Sequence, residues 1–150
     1  MNIQLKSLVV GSILGAIIFN IAVYSIGFTS AITLPSAIAN WATENSVVFS
    51  VLFVWDLFVV QLLGIGILAA LATYLLLRFS SLIWLYTAIG FVATETLISY
   101  SWLFNPLYHQ HFSKNSSILL FSHFIVVCIC VFIAARLARN AQVTTQPIHN

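Results

Sequence analysis

The chain has 150 residues, of which 61% are hydrophobic and 5% are charged, and its formal net charge at pH 7 is +2. Soluble domains carry about 25% charged residues, so this composition excludes an ordinary soluble globule. The small net charge gives no sign of a nucleic-acid partner. The expected partner is the lipid bilayer, and long continuous apolar stretches predict membrane-spanning helices rather than the strands of a barrel.

Four apolar stretches are long enough to cross a bilayer. They predict an all-α integral membrane protein, a four-transmembrane-helix bundle, with spans at residues 5–28, 47–77, 82–104 and 118–135. Residues 1–139 are then a single membrane domain, followed by a polar cytoplasmic tail at 140–150.

The connection between the first two spans predicts a short helix at the membrane surface, in the first outer loop. Leu34, Ile38 and Trp41 recur there at helical spacing. Tryptophan favours the headgroup region of a bilayer, so Trp41 is expected to mark that depth.

The basic residues predict the orientation of the bundle. Cytoplasmic loops of membrane proteins carry an excess of Lys and Arg. With both termini inside, Lys114 alone faces outward, and the other four basic residues are cytoplasmic: Lys6, Arg78, Arg136 and Arg139. We therefore expect a protein of a bacterial inner (plasma) membrane with both termini in the cytoplasm.

Polar side chains interrupt the apolar stretches, where a charged group costs roughly 2.5–3.5 kcal/mol on insertion scales and marks a functional candidate. Counting ~1.5 Å per residue from the cytoplasmic ends gives depths of ~18–24 Å for one side chain on each span and ~32 Å for a fifth. The sequence thus predicts a polar layer of Asn20, Gln61, Glu95 and His123, with Asp56 above it.

The spacing of the two polar groups on the second span argues against a single pocket. Asp56 and Gln61 are five residues apart, which is about 140° around an α-helix. The two side chains are therefore not expected to face one point.

Two interpretations of this layer are open. In the first, its side chains form interhelical hydrogen bonds that lock the bundle, each worth about 0.6 kcal/mol and at most ~1.7 kcal/mol. In the second, Glu95 exchanges a proton with His123 as its partner or relay, which is the physical basis of proton-linked transport. Asp56, next to Trp55, either reaches water at the outer interface or takes part in this exchange.

Small residues on the first span predict close helix packing. Ser7, Gly11 and Gly15 recur every four residues and form a ridge that lets another helix approach closely. This ridge and the length of the second span predict that more helices join the bundle, in a homo-oligomer or with other membrane subunits.

The histidines give weaker indications of a metal ion or a cofactor. His109 and His111 are candidate metal ligands in a loop, but two histidines without further ligands at fixed spacing are a weak signal. A haem held by two histidines needs one on each of two facing helices, and His123 supplies one. No cofactor is predicted, with haem or a metal ion as open alternatives.

The leading functional prediction is a small multi-pass subunit or accessory component of a membrane complex, held together by its polar layer. The alternative is a proton-coupled small transporter or channel that uses Glu95 with His123. A redox or metal-handling membrane protein ranks third. No recognisable catalytic set, phosphate loop or zinc-protease motif supports an enzyme.

Overall fold

A computed structural model describes residues 2–100 and 114–144, with side chains for residues 2–100 and 121–142. Within these ranges the chain forms five helices and no β-strand, which confirms the predicted all-α class. The helices are α1 (Ile3–Ser30), α2 (Ser36–Glu44), α3 (Val48–Arg78), α4 (Trp84–Ser99) and α5 (Lys114–Thr144).

Three of these helices are long and apolar enough to cross a membrane: α1, α3 and the part of α5 from Phe121 to Gln142. This finding indicates a membrane protein. The helix α4 has 16 residues and ends at Ser99, and residues 101–104 of the predicted third span lie outside the described residues.

The last helix is longer than the predicted span at both ends. It begins at Lys114 and continues to Thr144, into the stretch predicted as a polar tail. Tertiary hydrogen bonds explain the extension, because Arg78 Nη1 donates to Ala141 O at 2.9 Å and Gln142 Nε2 donates to the carbonyl oxygens at the end of α3.

The most extensive helix contact among the described residues joins α1 to α4, and glycines lie within it. A Cβ atom added at Gly11 would lie 2.1 Å from Thr87 O, and one added at Gly15 would lie 2.5 Å from Phe91 O. Real Cβ atoms do not approach backbone oxygens so closely. The two helices can therefore pack at this distance only because both positions are glycine.

The third member of the predicted ridge joins the same contact. Ser7 Oγ accepts a hydrogen bond from the N–H of Ile83 at 2.9 Å, just before α4 begins. The ridge is thus covered by α4 of the same chain, and it gives no argument for a second chain.

The helix α3 lies against both α1 and α5. A Cβ atom at Gly64 would be 2.8 Å from Ile26 Cγ1 of α1, and one at Gly66 would be 2.8 Å from Val126 Cγ1 of α5. These two glycines bring the middle of α3 close to both neighbours.

One end of the bundle carries four of the five basic residues. The first residues of α1 and α4 meet there through Ser7 and Ile83, and the last residues of α3 and α5 meet there through Arg78 and Ala141. We call this the basic end, defined by Lys6, Arg78, Arg136 and Arg139.

Candidate functional site

The middle of α3 is not an α-helix. Asp56–Gly66 forms a π-helix of 11 residues between two α-helical segments, Val48–Trp55 and Ile67–Arg78. Most π-helical segments are single turns, and they occur frequently at functional sites. Thr29 Oγ1 of α1 donates to Val60 O at 3.0 Å and so gives a partner to one carbonyl group of this segment.

The π-helix changes which side chains of α3 are neighbours. Its hydrogen bonds run from i to i+5, so residues five apart lie about one turn apart. Gln61 Nε2 is accordingly 3.5 Å from both Oδ1 and Oδ2 of Asp56. The expectation that these side chains cannot face one point is wrong here, because it assumed α-helical geometry.

His123 of α5 connects α3 to α4. Its Nδ1 atom is 2.9 Å from Gln61 Oε1, and its Nε2 atom is 2.7 Å from Glu95 Oε1. The side chain of Glu95 is 0% exposed and that of His123 is 12% exposed. Three helices therefore meet at one imidazole ring, in an environment that excludes most water.

Two serines complete this arrangement. Ser99 Oγ, one turn after Glu95, donates to Glu95 Oε1 at 2.6 Å. Ser122 Oγ donates to Asp56 Oδ2 at 2.5 Å. We call the connected set the polar network: Asp56, Gln61, Glu95, Ser99, Ser122 and His123.

Donor and acceptor chemistry fixes the roles of the imidazole nitrogens. Gln61 turns its NH₂ group toward the carboxyl oxygens of Asp56 and its own oxygen toward His123. An amide oxygen only accepts, and His123 Nδ1 therefore carries a proton. His123 Nε2 is left to share a proton with Glu95.

The Glu95–His123 contact is compatible with two protonation states. In one, the Glu95 acid donates to a neutral imidazole; in the other, the imidazolium donates to the Glu95 carboxylate. Both states use the same positions of Oε1 and Nε2, and both leave the pair with no net charge. One proton can therefore move across 2.7 Å without a side-chain rotation.

The two carboxyl oxygens of Glu95 differ in their hydrogen bonding, since Oε1 contacts both Ser99 and His123. Glu95 Oε2 is buried and has no hydrogen-bond partner among the described residues. Buried polar atoms are nearly always paired in proteins, so such an exception calls for an explanation.

Asn20 lies apart from the polar network. It is exposed on the outer face of α1, and its Nδ2 donates to Ala16 O of the same helix at 2.8 Å. The predicted layer thus brings together Gln61, Glu95 and His123 with Asp56, and it leaves Asn20 out.

The candidate metal ligands His109 and His111 lie outside the described residues. In the part of the chain whose side chains are described, no three His, Cys, Asp or Glu residues are grouped to hold a metal ion.

Sequence reasoning missed two parts of this site. Ser122 could have been considered from the sequence, because it directly precedes His123. The π-helix had only the five-residue spacing of Asp56 and Gln61, which is informative once i to i+5 bonding is considered.

Comparison with known proteins gives no relative: no protein family, no curated protein and no solved structure matches this chain.

Proposed function

We propose that the chain is a small proton-coupled membrane transporter or channel that binds and transfers a proton at the Glu95–His123 pair. The observation that carries this proposal is the 2.7 Å contact between a fully buried carboxyl group and an imidazole ring. Histidine acts as a general acid, a general base and a proton shuttle in proteins, which makes an imidazole a natural partner for proton exchange.

Two features favour this function over a purely structural lock. A lock needs only satisfied hydrogen bonds, which amide side chains supply without any charge. The polar network instead contains two acids and a histidine, and it leaves Glu95 Oε2 without a partner among the described residues. It also includes a π-helix of 11 residues, a rare conformation that is frequently found at functional sites.

Each side chain has a distinct role in this proposal. Glu95 and His123 exchange the proton. Gln61 positions the ring through His123 Nδ1 and does not transfer a proton, because a neutral amide is a poor acid and base. Asp56 anchors Gln61 and lies half-buried, nearer to the surface than Glu95.

The proposal includes a bundle of four spans, in which α4 and the residues that follow it form the third. The basic end would then face the cytoplasm, in keeping with the positive-inside rule. Both termini would be cytoplasmic, in a plasma or bacterial inner membrane.

Reconstituted vesicles test this function directly. Wild-type protein is expected to dissipate an imposed pH gradient, and Glu95→Gln is expected to abolish this flux while the protein still folds, since Gln keeps the size and most hydrogen bonds of Glu. The matched control is Glu44→Gln, the same change at the exposed last residue of α2.

Flux at the wild-type rate in the control is the expected result. An absence of flux from the wild-type protein, or equal flux from Glu95→Gln, would rule the transport function out.

A second candidate is a subunit or accessory component of a membrane complex, and the position of Asn20 favours it. An amide that faces lipid can lower its energy by bonding across a helix interface. In this proposal the outer face of α1, with Ile13, Ile17 and Tyr24 also exposed, contacts a second copy or another subunit.

Cross-linking in native membranes tests the second candidate. We expect the wild-type chain to cross-link to a partner and Asn20→Leu to reduce that yield severalfold, with Ile17→Leu as a control on the same face. If neither the wild-type chain nor Asn20→Leu cross-links to a partner, the subunit function is contradicted, and the proposal about Glu95 is unaffected.

A further inference from the structure

A cavity of about 600 Å³ lies at the basic end, away from the polar network. Its lining residues are Trp84 of α4 and Arg136, Arg139 and Asn140 of α5. Residues three and four apart lie on the same side of a helix, so the three α5 residues face the cavity together. The Arg139 Cζ atom lies 5.9 Å from the centroid of the Trp84 ring, within cation–π range.

The cavity is positively charged, because two arginines and no acidic side chain are among its described lining residues. The sequence contains three acidic residues. Asp56 and Glu95 belong to the polar network, and Glu44 ends α2 at the opposite end of the bundle. The planar guanidinium group matches the geometry of phosphate oxygens, so the cavity is complementary to a phosphate group.

The start of α4 adds to this complementarity. The helix begins at Trp84; the N–H of the preceding Ile83 donates to Ser7 Oγ, and the side chain of Ile83 makes no capping hydrogen bond to the first turn. The first N–H groups of a helix carry a partial positive charge, which favours an anion beside them. This feature supports the arginine cavity and would not define a site without it.

Exposed apolar side chains continue from this end of the bundle along both helices. Leu85 and Ile89 are exposed on α4, about 100° and 140° around the helix from Trp84. Ile129 and Ile133 are exposed on α5, on the apolar side of Arg136. A molecule with a phosphate group and long acyl chains would contact the cavity and this apolar surface together.

We propose that this cavity binds the headgroup of an anionic phospholipid, with Arg136 and Arg139 on the phosphate oxygens and the acyl chains along α4 and α5. A free phosphate ion shares the headgroup chemistry but has no part that would contact the apolar surface. The proposal does not depend on the function of the polar network.

Native mass spectrometry of the full chain tests the site, with phosphatidylglycerol and phosphatidylcholine as probes. We expect selective retention of phosphatidylglycerol. Basic groups near a membrane surface contribute about 1 kcal/mol each, so Arg136→Gln and Arg139→Gln should each weaken retention about fivefold, and the double variant about thirtyfold. Arg139→Lys keeps the charge but not the guanidinium fork, and an intermediate loss is expected.

Lys6→Gln is the matched control, because it removes one exposed charge at the same end but outside the cavity. A loss below about twofold is expected for it, since exposed charges are screened by salt. Equal losses in Lys6→Gln and the arginine variants, or no preference for phosphatidylglycerol, would overturn the proposal. Displacement of the lipid by inorganic phosphate at equal concentration would also overturn it and assign the cavity to a free anion.

Discussion

Gly11→Ala is expected to destabilise the protein strongly, because the new methyl group would lie 2.1 Å from the backbone oxygen of Thr87. A flexible side chain could move aside, but a helix carbonyl cannot move without the helix. Overpacking typically costs about 1–3 kcal/mol, and we expect the upper end of this range. The free energy of unfolding in detergent, measured by tryptophan fluorescence, checks the prediction.

Gly27→Ala is the matched control on the same helix. Nothing lies within 4 Å of a Cβ atom added there. Alanine is favoured over glycine in a helix by roughly 1 kcal/mol, so this change should be neutral or stabilising. Equal destabilisation by the two substitutions would contradict the close packing of α1 against α4.

His123→Leu is expected to have the second large effect on stability. It removes the ring that lies between Gln61 Oε1 and Glu95 Oε1, at 2.9 Å and 2.7 Å. A buried polar group without its partner costs about 1–3 kcal/mol, so we expect a loss in that range. A loss nearer 3–5 kcal/mol would mean that the pair is ionised, since the substitution would then strand a buried charge (about 3–5 kcal/mol for such pairs).

A double-mutant cycle separates this interaction from the change in packing. If Glu95 and His123 interact directly, His123→Leu should cost less in a Glu95→Gln background than in the wild type. Phe124→Leu, at an exposed neighbouring position, is the control for a change of ring to leucine. Additive effects of the two substitutions would contradict the pairing.

The convergence of Glu95 and His123 could be predicted from the sequence. Counting residues from the ends of the spans puts both at similar depth, and polar side chains in a membrane helix tend to face other helices. The structure places them in direct contact. The depth and polarity of the two side chains were sufficient to predict that they come together, because a charged group in lipid is so unfavourable.

The outward position of Asn20 was also within reach of the sequence. Gly11 belongs to the close contact with α4, and Asn20 is nine residues later, which is about 180° around an α-helix. The packing ridge and the polar layer on α1 therefore face opposite directions. Comparing the two predictions for the same helix would have separated Asn20 from the rest of the layer.

Residue propensities do not distinguish a π-helix from an α-helix, so the five-residue spacing of Asp56 and Gln61 was the one indication of it in the sequence. The segment makes tertiary contacts along its length, including the approach of Gly64 to Ile26 and of Gly66 to Val126, and the hydrogen bond from Thr29 to Val60. The contact between Asp56 and Gln61 follows from that segment.

The most direct test of the shared proton is the ¹⁵N NMR spectrum of His123 in lipid bilayers, assigned by comparison with His123→Leu. From the contacts with Gln61 Oε1 and Glu95 Oε1, we predict a protonated Nδ1 and an Nε2 signal intermediate between protonated and unprotonated values. Glu95→Gln should abolish the intermediate Nε2 signal, and Gln61→Leu should release the Nδ1 proton from its fixed position. An unprotonated Nδ1, or an Nε2 signal that is unchanged by Glu95→Gln, would contradict the proton pair.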